Sequence, residues 1–379
     1  MDQERANVLF REGAMLIFLD VPEGTEFGID YNSWNVGPSF RGIKMIPAGV
    51  HFIYYSACNS TGQVAPRTGF FYNFQPHEIV VRKWNKYNED IEEESVSPEE
   101  LERYDSNKKE MDRFLGPYPY ESYKKWISMT NHISPSLLEK LLPDCRKISS
   151  VTQFVSLPST TQSRKSQAEQ ERMDTDADDS SAPKKPKLPD MQEKPGTRIH
   201  YTCIEKHNYP SGASAAEITK YSMDSSYALE LILTTRYPDS HTDILGEIQF
   251  AFVCFLVGQN YDSFEQWKKL VHLLCTCEEA CKKHIHLFSQ LIGVLHFQIR
   301  EIPEDFFVDI VSKSNFLTST LQQFFSTLEN GNVDVALRRR GLKFRDHLTE
   351  KFKWDFISDP EEDAPVVVET DTATAISAS

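Results

Sequence analysis

The stretch "GTEFGIDYNSWNVGPSFRG", residues 24–42, places four glycines, one proline and four aromatic rings within nineteen positions. If it cradles a phosphate, the N-terminal part of the chain is an α/β nucleotide-binding unit; if it is turn and core material, that part is a compact all-β unit. The glycines do not follow the G-x-x-x-x-G-K-[ST] spacing, and no strand and helix bracket them in the order a dinucleotide site needs. Turn chemistry accounts for them instead. Glycine allows positive φ at tight connections, while Phe27, Tyr31, Trp34 and Phe40 can fill a small β-core. An exposed aromatic patch for a partner is the functional alternative, because such rings are favoured in interfaces.

The flanking sequence agrees with the β reading. "AMLIFLDV" from Ala14, "IKMIPAGVHFIYYS" from Ile43, "GFFYNF" from Gly69 and "EIVVRKW" from Glu78 are short β-prone runs separated by turn residues. One helix is expected over "SPEELERYDSNKKEMDRFLGPYP", with Ser97 as N-cap, Pro98 at the first helical position, Glu100 completing a capping box, and Gly116 and Pro117 as the stop. Two shorter helices, "ESYKKWISMTNHI" and "SPSLLEKLL", close a first domain at residues 1–148.

Residues 149–196 change composition to Ser, Thr, Gln, Pro and charge, with too little apolar surface to offset the entropy of ordering, and read as a disordered linker. Within it Lys184, Lys185 and Lys187 form a "KKPK" patch that suits nuclear localisation or, equally, a solvated charge run. From Ser214 the apolar period becomes helical, and a helical domain is expected over residues 197–357. Its helices are "SAAEITKYSMDSSYALELIL", capped by Ser214 and Glu217, then Asp243 to Leu256, Asp262 to Leu274, Glu278 to Ile299, Phe306 to Val311, Phe316 to Leu328 and Val333 to Trp354. No fixed repeat period is present, so an array of the tetratricopeptide kind is not supported. The fold class is therefore two-domain α+β, β-rich first and all-helical second, with an acidic tail at residues 358–379.

The 379 residues suffice for two cores. A formal charge of −15, from 56 acidic and 41 basic residues, disfavours direct nucleic-acid binding, which rests on clustered Lys and Arg. The N-terminus "MDQERANVLFREG" lacks the basic start and apolar run of a secretory signal. The longest apolar run, "FAFVCFLVG" from Phe250, is about half the ~20 residues that cross a bilayer. Seven cysteines, an odd number, suit reduced thiols in cytoplasm or nucleus.

The most site-like cluster is "CTCEEACKKHIH". On one helix Cys277, Cys281 and His284 would share a face, with Cys275 and His286 nearby, and thiolate with imidazole suits zinc. Structural zinc sites draw paired ligands from two elements and no second pair exists, so these thiols are expected to pack or face solvent, with no metal. His51, in "AGVHFIYY", is expected to face outward from a strand. Neither G-x-S-x-G nor H-E-x-x-H occurs, and the carboxylates of "EDIEEESVSPEE" sit at a helix start, where they favour the dipole. Nothing asks for an enzyme. In the tail, Val366, Val367 and Val368 form an isolated β-branched triplet that either folds back on the β-unit or adds to the sheet edge of another protein.

Read together, "GTEFGIDYNSWNVGPSFRGIKMIPAGVHF", "FLGPYPYESYKKWISMTNHIS", "SAAEITKYSMDSSYALE", "LGEIQFAFVCFLVG", "IPEDFFVDIVSKSNFLTSTLQ" and "KFKWDF" followed by "APVVVE" resemble the Aar-two family, assembly factors of the U-five small nuclear ribonucleoprotein. The resemblance covers both domains and the tail but not residues 149–196. It implies a VHS-like form for the helical domain and no enzymatic activity or cofactor. It implies as partner the large spliceosomal scaffold Prp-eight, bound through its RNase-H-like and Jab/MPN-like regions, with the Brr-two helicase kept off until maturation. It also implies that a C-terminal strand pairs between two scaffold domains, and Val366 to Val368 are placed for that. The expectation is a monomer of cytoplasm and nucleus, without membrane or direct nucleic-acid contact; the rival reading is a VHS-like adaptor in trafficking or signalling.

Overall fold

The computed structural model describes residues 2–58, 63–92, 96–156, 191–204, 209–210, 212–302 and 316–356. Two compact units are present: one made of residues 1–207, 230–271 and 293–302, the other of 208–229, 272–292 and 303–379.

The first unit opens with helix Gln3–Glu12, whose N-cap Asp2 accepts from the Arg5 amide at 2.7 Å. Eight strands follow: β1 Ala14–Leu19, β2 Glu26–Ile29, β3 Asn32–Asn35, β4 Gly42–Ile46, β5 Gly49–Ser56, β6 Thr68–Phe74, β7 Ile79–Asn85 and β8 Asp90–Glu92. Further along lie β9 Leu115–Pro117, β10 Ile148–Ser149, β11 Phe154–Ser156 and β12 Met191–Glu193. They form a mixed sheet in the order β8-β7-β1-β4-β9 and an antiparallel sheet in the order β10-β6-β5-β2-β3. β1 lies in the middle of the mixed sheet, parallel to β7 and antiparallel to β4, and is buried on both faces; that is why it reads as an unbroken apolar run. Its Leu16 and Phe18 join Phe27 and Ile29 of β2 and Ile53 and Tyr55 of β5 in one core, with the Phe18 and Phe27 rings 5.0 Å apart.

The glycine-rich stretch is the β2–β3 hairpin and its approaches, as turn chemistry suggests. Gly24 and Gly42 take φ of +84° and +135°, and a Cβ on Gly42 would stand 1.9 Å from the Leu16 carbonyl oxygen. Of its four rings, Phe27 is in the core and Phe40 packs on it at 5.3 Å. Tyr31 meets Trp126 edge-on, and Trp34 alone remains exposed.

The other face of the antiparallel sheet is covered by helix Asp243–Leu256. Phe52 and Phe71 lie 4.7 Å apart, and Phe71 stacks on Phe250 at 4.8 Å. Eleven of that helix's fourteen residues are buried, so its polar members must find partners inside the protein. Gly246 lies against helix Pro135–Leu141 and the turn before it: a Cβ there would meet the His132 carbonyl oxygen and Leu137 Cδ2, each at 2.3 Å.

In the second unit, helix Ala215–Met223 carries the expected Ser214–Glu217 capping box. The continuous helix expected beyond it breaks at Asp224. That carboxylate accepts from the Ser226 amide at 2.9 Å and from the Glu278 and Glu279 amides at 2.9 and 3.2 Å. One acidic side chain thus caps helix Glu278–Lys283 and the start of helix Ser226–Thr235. The expected Glu278 to Ile299 helix is likewise two, Glu278–Lys283 and Ile285–Glu301, divided at His284 with φ −109° and ψ 52°. Helices Phe316–Asn330 and Val335–Phe352 form an antiparallel pair across a short connection.

Two more expectations are corrected. The helix from Ser97 keeps its capping box but ends at Ser106; Lys108–Met111 and a 3₁₀ turn at Asp112–Phe114 follow, and Leu115–Pro117 pairs with β4 rather than stopping a helix. The expected linker is structured at both described ends, where Ser149 pairs with Thr68 and β11 pairs with β12. Residues 157–190, and the helix expected at Phe306 to Val311, lie outside the described residues. The β-rich first region and the all-helical C-terminal region stand as expected.

Replacing Gly246 with Ala is expected to cost about 1–3 kcal/mol by overpacking, because backbone opposes the new methyl. Gly116→Ala, whose Cβ would have its nearest neighbour at 3.9 Å, is the matched control and is expected within about 0.5 kcal/mol of the parent. Chemical denaturation midpoints of the two variants check this.

Candidate functional site

His51 is not the outward-facing strand residue expected. It is 1% exposed, and each ring nitrogen faces an oxygen: Nδ1 lies 2.7 Å from Asp30 Oδ2 and Nε2 lies 2.9 Å from the Pro47 carbonyl oxygen. A carbonyl only accepts, so Nε2 donates to it. Asp30 sits in the β2–β3 turn at φ 55° and is fully buried. It also accepts from the Tyr118 hydroxyl at 2.6 Å and, through Oδ1, from the Phe52 amide at 3.0 Å. The imidazole is stacked on Trp126, and the Trp126 indole donates to the Val50 carbonyl at 2.8 Å. Burial, and then the neighbouring Asp30 carboxylate, push the Tyr118 phenol far above its ordinary value, which keeps it a donor.

The Asp30–His51 pair resembles the orienting half of a catalytic triad, yet both ring nitrogens are committed and the dyad is closed to solvent. It functions as a clasp joining the β2–β3 turn, β5 and the segment after β9. Strand alternation alone points His51 outward; the aspartate that draws it inward comes from the β2–β3 turn, outside its own strand.

The cysteine cluster does not assemble as a ligand face either. Cys275 ends one helix, Cys277 precedes helix Glu278–Lys283 as its N-cap, and all three thiols, Cys281 included, are buried. Cys277 Sγ donates to the Leu273 carbonyl at 3.0 Å. Burial pushes all three thiols well above their ordinary range, with neighbouring thiols and Asp224 adding to it, so the ligating thiolate form is disfavoured. Among the described residues no group of three or more His, Cys, Asp or Glu side chains is placed to hold a metal ion.

A recess of about 630 Å³ opens in the first unit, bounded by β10, the β11–β12 pair, residues 194–204 and the Asp262–Lys269 part of helix Tyr261–Cys275. Lys147, one of its cations, is held by Asp90 at 2.7 Å and the Ile91 carbonyl at 2.8 Å. Cys145 and Cys203 line it, and no histidine is among its described lining residues. Its wall rests on a buried polar node that sequence reasoning missed; its one signal is a carboxylate three residues before the longest apolar run. Glu247, fully buried, accepts from the Thr202 amide at 2.8 Å, the Thr202 hydroxyl at 2.5 Å, Gln266 Nε2 at 3.0 Å and the Tyr237 hydroxyl. Four neutral donors fill its acceptor sites without a cation. Gln249, two residues on, accepts from the His132 amide at 2.8 Å and donates to Asn131 Oδ1 at 2.8 Å. What these groups do chemically is hold chain segments together.

Val366, Val367 and Val368, and the Lys184, Lys185 and Lys187 patch, lie outside the described residues.

The family model described as AAR2 N-terminal domain matches residues 12–143, and that described as AAR2 C-terminal repeat region matches residues 201–357. The chain belongs to the AAR2 family. Protein AAR2 homolog of Homo sapiens is 47% identical over 371 residues, covering 97% of each chain. Protein AAR2 homolog of Caenorhabditis elegans is 38% identical over 366 residues, covering 94% of this chain and 98% of the relative. A1 cistron-splicing factor AAR2 of Saccharomyces cerevisiae is 23% identical over 292 residues, covering 76% of this chain and 77% of the relative. The AAR2 match thus extends over the β-rich region that holds Asp30 and His51 and the helical region that holds Glu247 and the cysteines, and both of those polar nodes are structural.

Two outcomes are expected. A thiol reagent applied to native protein should modify exposed Cys203 at once and Cys58 and Cys145 more slowly, while Cys254, Cys275, Cys277 and Cys281 react only on unfolding; mass spectrometry of the modified protein reads this. Asp30→Ala leaves donors on His51, Tyr118 and Phe52 without an acceptor and should cost ~3 kcal/mol or more in denaturant titration, since each buried orphan costs about 1–3 kcal/mol.

Proposed function

We propose that this protein is a non-catalytic assembly factor in pre-mRNA splicing, acting on the U-five small nuclear ribonucleoprotein by binding the Prp-eight scaffold and delaying the Brr-two helicase until the particle matures. The observation that carries the reading is kinship along nearly the whole chain with a family whose yeast member is named a splicing factor. Support of a different kind comes from the polar groups that resemble catalytic machinery, which are buried and internally paired. The scaffold contact is assigned to its RNase-H-like and Jab/MPN-like regions, with Val366, Val367 and Val368 as an added strand whose backbone groups pair with a sheet edge. The factor acts as a monomer, in cytoplasm and nucleus, with the Lys184, Lys185 and Lys187 patch as the import signal.

Affinity capture of the protein from cell extract tests the class of function: recovery of the scaffold is expected, and enrichment of membrane-coat proteins in its place would overturn it. The docking strand is tested by Val367→Pro, which removes one ladder donor. Affinity for the scaffold fragment should fall by about 1–3 kcal/mol, some 5- to 150-fold, with the melting temperature of the free protein unchanged.

A further inference from the structure

Helix Val335–Phe352 runs against the charge of the chain. The protein carries −15 overall, yet residues 338–353 hold seven Lys and Arg against two acids, Asp346 and Glu350. The inward face is fixed by Leu337, Gly341, Phe344 and Leu348, which are buried. Two of the cations serve the fold. Arg338 donates to the Leu328 and Gly331 carbonyls at 2.9 and 2.8 Å, closing the end of helix Phe316–Asn330, and Arg345 pairs with Glu329 and lies 3.6 Å from Asp346.

The others are turned outward. Arg340, Lys343, His347 and Lys351 follow one another at three- and four-residue steps along one flank, and Arg339 stands one turn before Lys343. Arg340 makes a single long contact with Ser289 Oγ at 3.3 Å. Arg339, Lys343, Lys351 and Lys353 are exposed and form no ion pair among the described residues. Like charges spaced this way repel, and among the described residues no ion pair offsets Lys343 or Lys351.

The complement lies next in the chain. Lys353 ends the helix in the left-handed conformation, and Phe356 turns back to pack on Phe325 at 5.0 Å, beside Phe344. The chain therefore leaves the described residues close to the helix it has just completed. Beyond it, residues 357–379 contain Asp359, Glu361, Glu362, Asp363, Glu369 and Asp371 and no Lys or Arg. From Phe356, Glu361 to Asp363 are five to seven residues on, a reach of up to ~17–23 Å at about 3.3 Å per residue. The basic flank from Arg340 to Lys351 is about 17 Å long at ~1.5 Å per residue.

We propose that the acidic segment 359–363 docks along the Arg340–Lys343–Lys351 flank of helix Val335–Phe352, as an intramolecular contact that shields this flank from acidic ligands until the tail is drawn away. The inference is independent of the splicing reading. Each exposed ion pair is weak and screened by salt, but tethering presents the segment at high local concentration, so the contact forms in dilute buffer and is readily displaced.

Zero-length carbodiimide cross-linking of the full-length protein, read by mass spectrometry, tests it directly. At low ionic strength, amide links from Lys343 or Lys351 to Glu361, Glu362 or Asp363 are expected; at ~1 M salt, where the screening length is about 3 Å, they should vanish. A fluorescent polyglutamate peptide gives the second readout. It should bind several-fold more tightly to full-length protein carrying Asp359→Asn, Glu361→Gln, Glu362→Gln and Asp363→Asn than to the parent, and adding Lys343→Gln and Lys351→Gln should remove the gain. Absence of those cross-links at low salt, or equal peptide affinity for the parent and the tail-neutralised variant, would overturn the proposal.

Discussion

The first compact unit depends on how helix Asp243–Leu256 is fastened to the antiparallel sheet. A helix with eleven of fourteen residues buried cannot be held by an apolar stripe alone, because it carries a glutamate and a glutamine into the interior. Stacking of Phe71 on Phe250 supplies the contact area, and Glu247 and Gln249 supply direction. Apolar burial drives association without fixing register, whereas a carboxylate with four donors is satisfied in one arrangement only. Arg67 adds a third tie: it stacks on Tyr54, pairs with Glu26 and donates to the Val257 carbonyl at 2.8 Å, just past the helix end.

The same economy of polar groups runs through the molecule. Asp30 joins three segments, Glu247 joins another three, and Asp224 caps one helix while starting the next. Each is a short acidic side chain with neutral or imidazole donors around it. The arrangement commits each of these carboxylates to partners inside the fold, so each position should be intolerant of substitution for reasons of folding.

Much of this architecture was legible. Short β-prone runs bounded by turn residues marked β1, β5, β6 and β7, and capping boxes at Ser97 and Ser214 marked two helix starts. What failed were features decided by distant partners. His51 reads as outward on strand alternation, and only the Asp30 turn, contributed by a different strand, draws it inward. The helix breaks at Asp224 and His284 lack proline or glycine; at Asp224 the break is stabilised by amides more than fifty residues away. The edge strand at Leu115–Pro117 reads as a helix stop because Gly-Pro disfavours helix without saying what replaces it. Of the candidate site, the sequence left open whether the cysteines pack or face solvent, and their burial decides for packing; Glu247 was missed, because its four donors come from distant segments.

The pairing of β11 with β12 has a consequence for the chain as a connected object. It brings together the described residues on either side of 157–190, so the parts 1–156 and 191–379 are joined by that strand pair as well as by the chain. They also share the Phe71–Phe250 stack, the Gln249 bonds to Asn131 and His132, the Asn260 bond to the Ser149 carbonyl and the Lys125–Glu301 pair. Within the first unit, the parts before residue 157 and after residue 190 are mutually complementing halves, each of which covers a hydrophobic face that the other would otherwise expose to water.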